Sequence, residues 1–162
     1  MIIKSDINKF KNGTEAINAA MKAIDQELPK ELLKIEVDFV TQIMHRVKHS
    51  GVSANGVVLR TKSNNPIGAY GQWHGKARKK KGLRVDQVNL SFTGRMQLDF
   101  NITEHQDLHI GIGFLAAESA LKAEDNEEYY GDEIFEPSND EETDTMNDAE
   151  ARLFALLMRV LD

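Results

Sequence analysis

Between Leu32 and Val47 the sequence LLKIEVDFVTQIMHRV sets apolar residues over more than half of a helix circumference. One stripe runs Leu33, Val37, Val40, Met44, Val47, at alternating steps of four and three, and Leu32, Ile35, Phe39 and Ile43 widen it. A helix this apolar has to be covered on two sides, which predicts a sheet against one and a neighbouring copy against the other. Upstream, Asn12 and Glu15 have the spacing of an N-cap residue and its N3 partner, and Ile17, Met21, Ile24 and Leu28 carry an apolar face onward. Pro29 lacks a backbone donor, so the helix over residues 13–48 is predicted to break near it. The stretch His49-Ser50-Gly51 ends the segment, glycine being the usual left-handed terminator.

The next signals have a period of two. Val57 to Thr61 is a short β-branched run; Val88, Leu90 and Phe92 alternate with polar residues, as do Met96, Leu98, Phe100 and Ile102. Leu108, Ile110, Ile112 and Phe114 alternate opposite His109, Gly111 and Gly113, whose missing side chains leave one strand face bare. A helix is predicted from Ala116 to Glu128. The acidic stretch EPSNDEETDTMND (136–148) reads as a solvated linker, and Asn147 with Glu150 opens a last helix with Leu153, Phe154, Leu157, Val160 and Leu161 on one face. The fold class is therefore α+β: a long N-terminal helix packed on a small, mostly antiparallel sheet, with a C-terminal helix after an acidic linker. The boundaries are a domain over 1–135 with a basic insertion loop at 62–86, the linker at 136–148, and a docking helix at 149–162.

Charge divides the chain. Residues 1–95 hold 17 Lys/Arg against 8 Asp/Glu, and residues 96–162 hold 3 against 18, so a net charge of -6 conceals halves of +9 and -15. Such halves suit head-to-tail contacts between copies, which close into rings when the rotation permits; they equally suit pairing within one chain. No apolar run approaches the ~20 residues of a membrane span. The opening MIIKSDINKF is too short an apolar stretch for a signal peptide, which argues against export by that route. With no cysteine, disulfides, thiolate metal sites and cysteine nucleophiles are all excluded.

Catalytic signals are sparse. His45 and His49 stand four apart, yet Arg46 occupies the position where a metalloprotease has its glutamate, and Arg46 and Lys48 repel cations. Gly111-Ile112-Gly113 lacks the third glycine of a dinucleotide fingerprint. Ser91 and Thr93 have no neighbouring base, and Asp99 and Glu104 sit in no nuclease-like motif. No enzyme, metal site or cofactor is predicted. The sharpest local feature is basic: Lys76, Arg78, Lys79, Lys80, Lys81 and Arg84, preceded by Tyr70, Trp73 and His74. Cations beside aromatics suit nucleic acid, but they also suit an acidic protein surface, and this chain carries one.

The segment NLSFTGRMQLDFNI, followed by LHIGIGF, resembles the tail-completion and head–tail connector proteins of tailed bacteriophages, a group that includes the virion morphogenesis proteins. The matching pattern is Thr93-Gly94-Arg95-Met96 leading into a strand, then Ile110-Gly111-Ile112-Gly113-Phe114. An Ala-rich segment follows, then Tyr130, Gly131, Ile134 and Phe135. The resemblance spans residues 85–137. It implies a structural virion protein, assembled in the host cytoplasm into a homo-oligomeric ring at the neck or tail. Such a ring joins portal or adaptor proteins to the tail tube and passes DNA without reading its sequence. Subunit-interface candidates are then Trp73, Lys76, Arg78, Lys79, Lys80, Lys81, Arg84, Arg95, Phe154 and Leu157, and Glu141, Glu142 and Asp144 are candidates to face the lumen. The alternative is a small DNA-binding accessory module using residues 73–84.

Overall fold

The computed structural model describes residues 3–91, 93–106 and 109–161, with side chains at 13–91, 93–104 and 111–161. The expected strand positions Phe92 and Leu108, and the side chains of Asn12, His109 and Ile110, lie outside the described residues. Helix α1 (Ile3–His45) starts upstream of Asn12 and runs through Pro29, where a break was expected. One turn of π-helix (Arg46–Ser50) follows, and Gly51 closes it at φ 62°, as its sequence position predicts. Only glycine fits there, because a Cβ would collide with the Val88 carbonyl oxygen.

The 62–86 insertion is folded. Strands β1 (Pro66–Ile67) and β2 (Tyr70–Gly71) form a minimal antiparallel hairpin. Its Gly68 lies at φ 63°, where a Cβ would collide with the Val85 carbonyl oxygen. Helix α2 (Gln72–Lys80) follows at once and packs on the hairpin so closely that a Cβ on Gly75 would sit 2.6 Å from Ile67 Cβ. The run Val57–Thr61 forms no strand, only the isolated bridge Val52–Val58. The stretch from Met96 is helical rather than extended: α3 spans Arg95–Asp99. Strands β3 (Phe100–Gln106) and β4 (His109–Phe114) pair antiparallel, with an irregularity between Ile102 and Glu104. Helix α4 (Ala117–Tyr130) ends on Gly131 at φ 74°.

Helix α5 (Asn139–Leu161) overturns the expected acidic linker. Ser138 and Glu141 form a reciprocal capping box: the Ser138 N–H donates to Glu141 Oε2 (2.8 Å) and the Glu141 N–H donates to Ser138 Oγ (3.2 Å). The acids of the first turn, Asp140, Glu141 and Glu142, meet the positive end of the helix dipole, so acidity here starts a helix instead of dissolving one.

The chain forms two compact units. Unit 2, Glu36–Asp144, holds the core: Ile43 and Val47 of α1 join Leu59, Tyr70, Val88, Phe100, Ile134 and Phe135. Phe100, Phe114 and Phe135 meet with ring centroids 5.0–5.9 Å apart, two of the three contacts edge-on. Arg46 fastens this core from outside. Its guanidinium donates to Glu141 Oε1 (2.9 Å) and to the carbonyls of Val52, Ile134 and Glu136. Unit 1 is Met1–Ile35 with Thr145–Asp162; its described residues are helical, with Arg159 3.7 Å from Glu27 and Leu156 buried.

Candidate functional site

A groove of about 1170 Å³ opens in unit 2 between the start of α2, the Thr93–Asp99 segment and α4. Of the six cations in the basic run only Arg78 lines it. Arg78 is buried, 1% exposed, which removes it from the interface candidates. Its Nε donates to the Arg84 carbonyl (2.7 Å), and its two terminal nitrogens donate to the Ser91 carbonyl (2.8 Å) and Asn89 Oδ1 (3.0 Å). The guanidinium carbon lies 4.3 Å from the Tyr70 ring centroid. Tyr70 closes the network, its hydroxyl donating to Asn89 Oδ1 and accepting from the Asn89 N–H. These bonds tie the segment after α2 back onto the helix. They also hold Leu90 at φ 50°, a left-handed conformation that costs a leucine about 1–3 kcal/mol and persists only where surroundings enforce it.

Arg84 is also spoken for. It forks onto Asp86 (3.1 and 2.6 Å) and reaches Gln87, and this bond pulls the Asp86 carboxyl down to about 2. His74 packs 5.0 Å from Tyr70, and burial, aided by the Arg78 charge, holds its pKa below the ordinary imidazole range. Burial likewise raises the Tyr70 and Tyr130 hydroxyls. Across the groove, the Tyr129 hydroxyl lies 2.7 Å from Thr61 Oγ1 and accepts from the Lys62 N–H.

Besides Arg84, which stays exposed, the surface side chains of the run gather on α2 and just after it. Trp73 is 82% exposed, and Lys76, Lys79 and Lys80 on the same helix are exposed, with no acid anywhere in α2. Lys81 is exposed just past the helix end, and Arg95 is exposed on the groove wall near Leu98, which is 83% exposed. Elsewhere, Phe154 and Leu157 are exposed on α5, while Leu156, not among the expected face residues, is the buried one. Exposed Phe154, Leu157, Met158 and Leu161 thus form a second apolar stripe at helical spacing. On α1, Ile17, Met21, Leu33 and Val37 also stay exposed, so only one side of that over-apolar helix is covered. Of the lumen candidates, Glu142 and Asp144 are exposed, but Glu141 is buried against Arg46 and drops out.

The candidate chemistry resolves differently. His45 and His49 stack with centroids 4.6 Å apart. Among the described residues no group of three His, Asp or Glu side chains is gathered as a metal site would need. Asp99 accepts the Ala116 N–H (2.8 Å) and pins the end of β4. Among the described residues no helix is long and apolar enough to cross a membrane. No protein-family model, no curated protein and no solved structure matches the chain.

Proposed function

We propose that this chain is a structural, non-enzymatic subunit of a phage-like particle, forming a ring at the head–tail junction. One observation carries the reading: a single small chain leaves open a lysine–tryptophan face on α2 and an acid-led, apolar stripe on α5. Exposed aromatic and aliphatic side chains set among charges are what a protein–protein contact buries. Opposite signs on distinct surfaces favour head-to-tail rather than self-complementary association, a geometry that closes into rings when the rotation permits. Portal or adaptor proteins and a tail tube are the neighbours this reading assigns. Glu142 and Asp144 would line the channel, where their charge keeps passing DNA from adhering.

The test is to disrupt the gene in a host producing the particles and to examine the lysate by electron microscopy. The proposal expects filled heads and tails that stay apart and join once purified chain is added. Joined, infectious particles in its absence would overturn it. A second reading rests on Lys76, Lys79 and Lys80 standing exposed beside Trp73: a DNA-binding accessory module. It requires duplex affinity that falls steeply with salt.

A further inference from the structure

Two helical faces of this chain are opposite in charge, and each exposes apolar side chains beside that charge. On α2, Trp73, Lys76 and Lys80 follow at i, i+3 and i+7 and share one exposed face. At 1.5 Å per residue, that face is about 10 Å long. On α5, Met146, Glu150, Phe154, Leu157 and Leu161 share another, all exposed. The amino-terminal half of α5, residues 139–150, holds six acids and no base, whereas α2 holds four bases and no acid.

Resting on the ring reading above, we propose that α2 of one copy lies antiparallel on α5 of the next. Trp73 seats between Phe154 and Leu157, and Lys76 meets Glu150. Antiparallel order follows from the charges: Trp73 stands at the amino end of its face with lysines beyond it, and Phe154 stands toward the carboxyl end of its face with Glu150 and the acids before it. Running the helices the other way would set Lys76 and Lys80 against Leu157, Met158 and Leu161. With Trp73 beside Phe154, Lys80 falls near residue 147, inside the acidic half. Asp144 points away from the stripe at helical spacing, so the contact leaves it for the channel, while Glu142, four residues before Met146, extends the stripe beyond the residues that Trp73 to Lys80 would cover. The seat is small against the ~1,200 Å² of total burial that a stable pair needs, so contacts at both ends of every copy in a closed ring must hold the assembly together.

The experiment uses the full chain with a photocrosslinking amino acid at Trp73, in a mixture of isotopically labelled and unlabelled protein. Irradiation should give mixed-isotope crosslinks to residues 150–161. W73A, which alters an exposed residue and leaves folding intact, should weaken self-association about thirty-fold, as a central aromatic anchor does. K76E and E150K should each weaken it by about tenfold, and the double variant should recover most of the loss. Crosslinks confined to one isotope would mean docking within a chain and would overturn the proposal. Rings that form with crosslinks elsewhere overturn this pairing alone and leave the ring reading standing. A chain that stays monomeric at every concentration overturns the pairing, while the particle experiment above decides the ring reading independently.

Discussion

Arg46→Met is the sharpest test of how unit 2 is held together. The Arg46 and Glu141 side chains are each only 11% exposed, and the guanidinium makes one bond to the carboxylate and three to backbone carbonyls of the Val52 turn and the Ile134–Glu136 segment. Methionine keeps the apolar stem in place but strands the carboxylate and three carbonyls at once. Removing one partner of a buried pair costs about 3–5 kcal/mol. Glu141 retains its capping bond from the Ser138 N–H, which places the loss near the lower end, at about 3 kcal/mol. For a unit of this size that lowers the melting temperature by on the order of 10 °C. Urea titration followed by far-UV circular dichroism measures it. Glu141→Gln should cost less, about 1–2 kcal/mol, because glutamine can still serve the capping box and accept from Arg46. The double variant should lose clearly less than the sum of the two, since the pair acts as one unit. A loss below about 1 kcal/mol for R46M, or strict additivity in the double variant, would refute the view that this guanidinium staples the core.

Other outcomes follow from the same geometry. Asp86 should titrate with a midpoint at about 2 by carbon-detected NMR, and Arg84→Met should return it toward the ordinary carboxylate range. Because the folded value is the depressed one, this pair's contribution is complete above the unfolded carboxylate range and fades only as pH falls toward about 2. Gly68→Ala should destabilise much more than Gly56→Ala in thermal melts. Both positions have positive φ, but only at Gly68 would the methyl strike a backbone oxygen, that of Val85; at Gly56 nothing lies within 4 Å, and only the left-handed cost of about 1–2 kcal/mol applies. If the lysines of α2 serve protein rather than DNA, duplex binding measured by fluorescence anisotropy should stay weak at physiological salt. A log–log salt slope near −3, from three neutralised phosphates at about 0.9 each, would favour the DNA module instead.

The long periodic helix was legible because nine apolar residues in sixteen leave no other period to choose. Its passage through Pro29 was not, since a proline signal reports only a missing donor and not the packing that carries a helix past it. Of the alternating Met96, Leu98, Phe100 and Ile102, the last two lie on β3 as expected, but Met96 and Leu98 lie on a helix with Leu98 outward; alternation alone does not mark where the strand begins. The start of α5 is legible, but two pairs offer the same capping spacing: Asn147 with Glu150, and Ser138 with Glu141 nine residues earlier, where the helix begins. Acid density there suggests solvation, yet acids are also what a helix start favours. Within the basic run, the two arginines take fixed partners, while Lys76, Lys79 and Lys80 stay outside. A planar fork can satisfy several carbonyls and stack on a tyrosine, which an ammonium cannot, so an arginine was the candidate for the buried charge, but residue type alone does not separate buried Arg78 from exposed Arg84.

Trp73 is the chain's only tryptophan, and it stands almost wholly in water while the core is built from phenylalanine, tyrosine and aliphatics. The molecule therefore carries an intrinsic optical probe that is nearly silent to denaturation, because its indole is already hydrated when folded. Any blue shift in its emission reports that something has covered that helix, so a simple fluorescence titration reads out docking without a label.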